Sequence, residues 1–95
     1  MSTPQPYRST PVFDESSLPE AIRNTHSTKP GVWGLLQVLE GQVHLVFHEP
    51  ARTVSVTPGK PAPIPPQAHH HVETDGPMRM RVEFFHEPPD EARYA

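Results

Sequence analysis

Proline restricts this chain more than any other residue, because it occurs 14 times in 95 residues. Its ring fixes φ, removes a backbone donor and interrupts helices. The sequence therefore excludes long helices and favours short extended segments separated by turns. One short helical turn is predicted after Ser17, where Leu18 and Pro19 begin a segment with an early acid, Glu20.

Apolar and polar residues alternate through several segments, which is typical of half-buried β-strands. Residues 35–39 are apolar except for Gln37, and residues 42–48 and 53–57 alternate. Glu40-Gly41 is predicted to join the first two segments as a hairpin. Roughly seven such strands, without room for crossover helices, indicate an all-β sandwich or small barrel.

The length predicts a single domain. We expect a flexible N-terminal arm at residues 1–11, the folded domain at residues 12–87 and an acidic C-terminal tail at residues 88–95. Because an exposed strand edge can pair with a second copy of the chain, we expect a homodimer.

Composition excludes several classes of function. The formal charge is −3 and the basic residues are scattered, which argues against nucleic acid as a partner. Without cysteine, the chain has no disulfide, thiolate zinc site or thiol nucleophile. No apolar run has the length of a signal peptide or membrane span, so we expect a cytoplasmic protein without a membrane partner.

Seven histidines are the remaining candidates for chemistry, and three of them are consecutive. Strand alternation places His70 with Val72 on the expected interior face and sends His69 and His71 to the other face. If residues 69–73 and 78–85 form a hairpin, His70 lies opposite about residue 82, so that Glu83 is within cross-strand reach.

Histidine and carboxylate together supply two ligands of a divalent metal site, and His26 is a candidate third ligand if the fold brings its loop across. Other interpretations stay open. Glu83 shares its strand face with Arg79 and Arg81, as in a solvated ion-pair surface. His26 could equally make only local hydrogen bonds, and Trp33 could be a core residue or the wall of a pocket.

Five segments in the correct order resemble the YeaR/TehB-like domain, a small cupin found alone or at the N-terminus of tellurite-resistance methyltransferases. The resemblance covers about residues 18–85. The segments are LPEAIRN at 18–24, HSTKPGVWG at 26–34, VLEG at 38–41, IPPQAHHHV at 64–72 and VEF at 82–84.

The resemblance implies a cupin-type double-stranded β-helix, that is, a small jelly-roll barrel with a metal at its mouth. His26 matches the first-motif histidine and His70 the second-motif histidine. Thr28 or Lys29 stands where cupins have another histidine, and Gly34 stands near the usual glutamate, so Glu83 would supply the carboxylate. This set of two histidines and one carboxylate suits iron(II), with zinc or manganese as alternatives.

Three functions follow as hypotheses. The first is a divalent-metal-binding cupin linked to a stress or tellurite/oxyanion response, with Lys29 and Arg81 as contacts for a small anionic ligand. The second is a metal-free binding or sensing module for a small molecule, with Trp33 as a wall. The third is a metal-dependent dioxygenase or isomerase. Methyl transfer is not expected of these 95 residues, which contain no glycine-rich cofactor unit.

Overall fold

The computed structural model describes residues 5–23, 27–49 and 51–89, which form eight strands and one four-residue helix. The expectation of a nearly all-β chain with one short N-terminal helical turn is confirmed. The elements, in chain order, are β1 (Arg8–Ser9), β2 (Phe13–Asp14), α1 (Glu20–Arg23), β3 (Trp33–Glu40), β4 (Val43–His48), β5 (Ala51–Val56), β6 (Ala62–Ile64), β7 (His70–Thr74) and β8 (Arg79–Phe85).

The strands form two antiparallel sheets. The larger sheet has the order β1-β8-β3-β6, and β2 also pairs with β8. The smaller sheet has the order β5-β4-β7. Each strand turns alternate side chains toward the other sheet, and those side chains make up the apolar core. The buried members of this core are Leu18, Leu36, Val38, Val43, Leu45, Phe47, Val56, Ala62, Ile64, Val72, Met78, Met80 and Val82.

The expected hairpin between β3 and β4 is not formed, because the two strands belong to different sheets. Gly41 has a φ of 75° between them. A Cβ at this position would clash with the carbonyl oxygen of Pro77, so only glycine fits both the backbone conformation and the close approach. Gly41 therefore turns the chain from one sheet into the other.

The expected pairing of β7 with β8 is also wrong. In the structure β7 pairs with β4, whereas β8 pairs with β3. Residues 75–78 cross from the smaller sheet to the larger one instead of making a tight hairpin. His70 and Val82 are consequently not cross-strand neighbours, although both line one cavity between the sheets.

The proline-rich segment before the three histidines forms β6. Ala62 and Ile64 pair with Leu36 and Gly34 of β3. In the described part of the N-terminal arm, the amide of Tyr7 donates to the carbonyl of Phe84, and β1 follows as an edge strand on β8. Within the described ranges, no helix is long and apolar enough to cross a membrane.

Candidate functional site

A pocket lies between the two sheets at the end of the core near His70. It encloses about 70 Å³. Three of its lining residues are polar, namely Thr10, Thr28 and His70, and the others are apolar. The apolar members are Ile22, Leu36, Ile64, Val72, Val82 and Phe84. We call this the inner pocket. An apolar cavity with a few polar groups at fixed positions is typical of sites for small molecules.

His70 is the polar side chain that the core buries most deeply among the described residues, with an exposure of 2%. The prediction that His70 and Val72 share the interior face of their strand is confirmed. Its Nδ1 lies 2.7 Å from the carbonyl oxygen of Ala68. Because a carbonyl only accepts, Nδ1 carries the proton, and in the neutral ring Nε2 is the acceptor. The backbone thus fixes the tautomer and orientation of this imidazole.

Thr28 joins two loops at the rim of the inner pocket. Its hydroxyl donates to the carbonyl of Pro65 at 2.8 Å and accepts from the amide of Gln67 at 2.9 Å. Gln67 has a φ of 62°, which is unusual for a residue with a side chain. Thr28 stands where other cupins have a histidine, and in this chain it connects the two loops.

A second pocket adjoins the inner one, and Thr28 and Phe84 line both. We call it the outer pocket. Arg8 and Lys29 bring two positive charges to it, while Tyr7 adds an aromatic ring. Neither cation takes part in an ion pair within the part of the chain that the structure describes. The two charges therefore create a positive field at the outer pocket, where an anion would be attracted.

Glu83 does not lie near His70. Val82 and Phe84, its neighbours in β8, line the inner pocket, so strand alternation turns Glu83 to the outer face of the larger sheet. There its Oε1 accepts a hydrogen bond of 3.0 Å from the Nε2 of Gln37. The expected cross-strand pair of Glu83 with His70 is not formed, because β7 and β8 are in different sheets.

The other predicted ligand contacts are also separated. Arg81 is opposite Gln37 on the outer face that Glu83 occupies, whereas Lys29 lines the outer pocket. Trp33 is half-buried opposite Phe85, on that same outer face. His26 lies outside the described residues. Of the six residues predicted for the site, the structure places His70 and Lys29 in the adjoining pockets.

The described residues contain no group of three histidine or carboxylate side chains able to hold a metal ion. Among the residues whose positions are described, His70 is the single imidazole or carboxylate group that lines the inner pocket. A metal at this place would need ligands beyond those that line the described pocket.

Sequence reasoning missed Arg8 and Tyr7, which come from the predicted N-terminal arm. The signal was weak, because a basic and an aromatic residue in a proline-rich segment have no strand partner that the sequence identifies. Only the pairing of β1 with β8 brings them beside Lys29 and Phe84.

The two facing antiparallel sheets, with the site between them, define a cupin-type double-stranded β-helix. The cupin FeII HppE is similar in structure, with a TM-score of 0.58 and 18% identity over 78% of this chain and 40% of that one. At that identity the likeness concerns the fold. The chain belongs to the TehB-like domain family, whose sequence pattern matches residues 8–82.

Curated relatives agree with this assignment. The chain is 38% identical over 74 residues to the probable S-adenosyl-L-methionine-dependent methyltransferase TehB of Haemophilus influenzae, and 36% identical to the protein of a second strain. The match covers 70% of this chain and 25% of each relative. The chain thus corresponds to about a quarter of the length of these proteins.

Two crystal structures are similar over most of the chain. A protein of Escherichia coli K12 superposes with a TM-score of 0.78 and 27% identity, over 90% of this chain and 92% of that one. TehB from Haemophilus influenzae gives a TM-score of 0.77 and 28% identity, over 87% of this chain and 31% of that one.

Proposed function

We propose that this protein is a binding module for a small organic anion, held across the inner and outer pockets. The observation that carries the proposal is the contact between an apolar cavity and a cationic one, which adjoin at Thr28 and Phe84. An apolar group would occupy the inner pocket beside His70, and the negative group would lie near Lys29 and Arg8. Oxyanions, including tellurite, are the inorganic ligands that the same charges would attract.

The chemistry of the two pockets supports a ligand with two unlike ends. Burial of apolar ligand surface contributes about 25 cal/mol per Å². The cations add selectivity for charge and speed the encounter more than they add affinity, because they are exposed to solvent. Affinity for purely inorganic anions should therefore be weaker than for an organic anion that also fills the inner pocket.

The experiment is a calorimetric titration of tag-free protein with a panel of small carboxylates, phosphonates and oxyanions. Lys29→Gln should weaken binding of the best organic anion at least about fivefold, which corresponds to about 1 kcal/mol. Lys60→Gln is the matched control, because Lys60 is exposed in a turn and lines neither pocket. Equal affinities of the two variants, or no binding by any member of the panel, would refute the proposal.

The second candidate function is binding of a divalent metal through the Nε2 of His70. The supporting observation is the hydrogen bond from Nδ1 to a backbone carbonyl, which is the arrangement that orients metal-ligating histidines. His26 would be the further imidazole. A bound metal would act as a Lewis acid toward an anionic ligand. The dioxygenase or isomerase hypothesis depends on this metal and belongs to the same candidate.

Elemental analysis of tag-free protein tests the metal candidate. It expects a stoichiometric divalent metal that His70→Asn removes and that His69→Asn, at an exposed neighbouring position, retains. A metal content that His70→Asn leaves unchanged after dialysis against zinc, manganese or iron(II) would reject it. Anion binding by protein without a metal at His70 would support the first candidate.

A further inference from the structure

The outer face of the smaller sheet carries a pair of histidines in direct contact. The ring nitrogens His48 Nε2 and His71 Nδ1 are 2.6 Å apart, and the rings meet edge to face with centroids separated by 4.9 Å. His48 is on β4 and His71 is on β7, which are neighbouring strands. Backbone pairing at Val46 and His71 sets the separation of the two rings, because both project from the same face of the sheet.

Glu73 determines which nitrogen of His71 carries the proton. Its Oε2 lies 2.8 Å from the Nε2 of His71. Because the carboxylate only accepts, that Nε2 carries a proton, and in the neutral ring Nδ1 presents its lone pair toward His48. The proton shared by the two rings then belongs to the Nε2 of His48. A carboxylate that orients an imidazole in this way is the usual partner of a metal-ligating histidine.

We propose that His48 and His71 together bind a divalent transition metal, such as zinc, nickel or copper, on this outer face. The metal takes the place of the proton between the rings. His48 then holds its proton on Nδ1, so that both rings stay neutral and each directs one lone pair at the ion. Imidazole nitrogen is the ligand type that these borderline metals prefer.

The site needs little rearrangement to accept the ion. Metal–nitrogen bonds of about 2.0–2.1 Å at a tetrahedral ion separate two ligand nitrogens by roughly 3.3 Å, so the rings must move apart by about 0.7 Å. His48 is exposed and the side chain of His71 is 19% exposed, so an ion can reach the pair from solvent. Since no third histidine or carboxylate ligand joins them among the residues with described positions, water completes the coordination.

This outer site is independent of the inner pocket. His71 follows His70 in β7, but its ring is on the opposite face of the sheet. Failure of anion binding or of metal binding at His70 would therefore leave the proposal for His48 and His71 unaffected. Failure of zinc binding at His48 and His71 would likewise leave the proposals for the inner pocket unaffected.

The test is titration of the tag-free, full chain with zinc, followed by ¹⁵N NMR of the imidazole rings and by calorimetry. Zinc should shift the resonances of His48 Nε2 and His71 Nδ1. His48→Ala and His71→Ala should each weaken this binding at least about tenfold, and Glu73→Gln should weaken it about tenfold through loss of orientation. His44→Ala is the matched control, because His44 lies on the same face and contacts Asp75 instead.

Two results would overturn the proposal. One is a zinc titration in which neither named nitrogen shifts, which can be observed in the unaltered protein even if a variant folds poorly. The other is an affinity that both alanine variants retain, or that His44→Ala reduces as strongly as they do.

Discussion

The two faces of the smaller sheet differ in the burial and polarity of their side chains, although the same strands form both. Toward the larger sheet, β4 and β7 present buried side chains, of which Leu45 and His70 are examples. Toward solvent, the same two strands present His48, His71 and Glu73, joined by side-chain hydrogen bonds. Consecutive histidines on a strand thus belong to two environments, since neighbouring side chains point to opposite faces.

Strand β8 of the larger sheet shows the same difference between its two faces. Val82 lies in the core and lines the inner pocket, while Glu83 faces outward and accepts a hydrogen bond from Gln37. A shift of one residue in the pairing register of β7 or β8 would exchange the inward-facing and outward-facing side chains of that strand. Substitutions at neighbouring positions therefore provide direct tests of the difference between faces.

The largest difference is expected between Leu45 and Val46, which are adjacent in β4. Leu45→Ala should lower the free energy of unfolding by about 3 kcal/mol, because it removes a fully buried side chain and leaves a cavity. Val46→Ala, at a half-buried position on the outer face, should cost less than about 1 kcal/mol. Urea unfolding of both variants measures the difference, and equal midpoints would contradict the assignment of faces.

The next largest difference is expected between His70 and His71. His70→Ala should cost about 2 kcal/mol, because it opens a cavity and leaves the carbonyl of Ala68 without the imidazole donor. His71→Ala should cost no more than about 1 kcal/mol, since water can replace hydrogen bonds on the outer face. Urea unfolding in metal-free buffer checks the order, which would be reversed if His71 were the interior residue.

A smaller effect is expected on the outer face at the contact between His44 and Asp75. The Asp75 side chain is 73% exposed, so the pair resembles other surface ion pairs. Asp75→Asn should lower stability by about 0.2–1 kcal/mol at low salt when His44 is protonated. At 1 M NaCl the difference from the unaltered protein should disappear. A difference that survives high salt would show that the contact is not mainly electrostatic.

Asp14, the last residue of β2, should give the smallest effect. The backbone amides of Ser17 and Ser16 donate to its carboxylate and hold its pKa below the ordinary value of 3.8. Because the folded pKa is the lower one, Asp14 contributes stability above pH 3.8 and loses that contribution as the pH falls through the folded pKa.

Asp14→Asn removes this contribution and should make thermal stability less sensitive to pH between about 5 and 2. Melting temperatures across that range measure the effect. Equal slopes for the variant and the unaltered protein would contradict the role of these amides, and the Ser16 and Ser17 hydrogen bonds would then be unimportant in solution.

Much of the architecture could be predicted from local patterns. Alternation identified Val43, Leu45 and Phe47 as one face of a strand, and it separated His70 from His71. These predictions hold because alternation depends on the backbone of one strand.

Strand partners could not be predicted in the same way. Gly41 was consistent with a hairpin, but its φ fits equally well a turn that passes from one sheet to the other. The wrong partner for β7 then placed Glu83 beside His70. Local geometry does not contain the information that chooses between two partner strands, because that choice depends on packing among distant residues.

Composition and alternation are enough to identify an all-β chain without cysteine thiols in which histidines are the principal chemical groups. Tertiary packing selects which residues meet: His70 with an apolar pocket, Lys29 with Arg8, and His48 with His71. The two differ because composition and alternation act over a few residues. A site between sheets or across strands depends on contacts that the core selects from many alternatives.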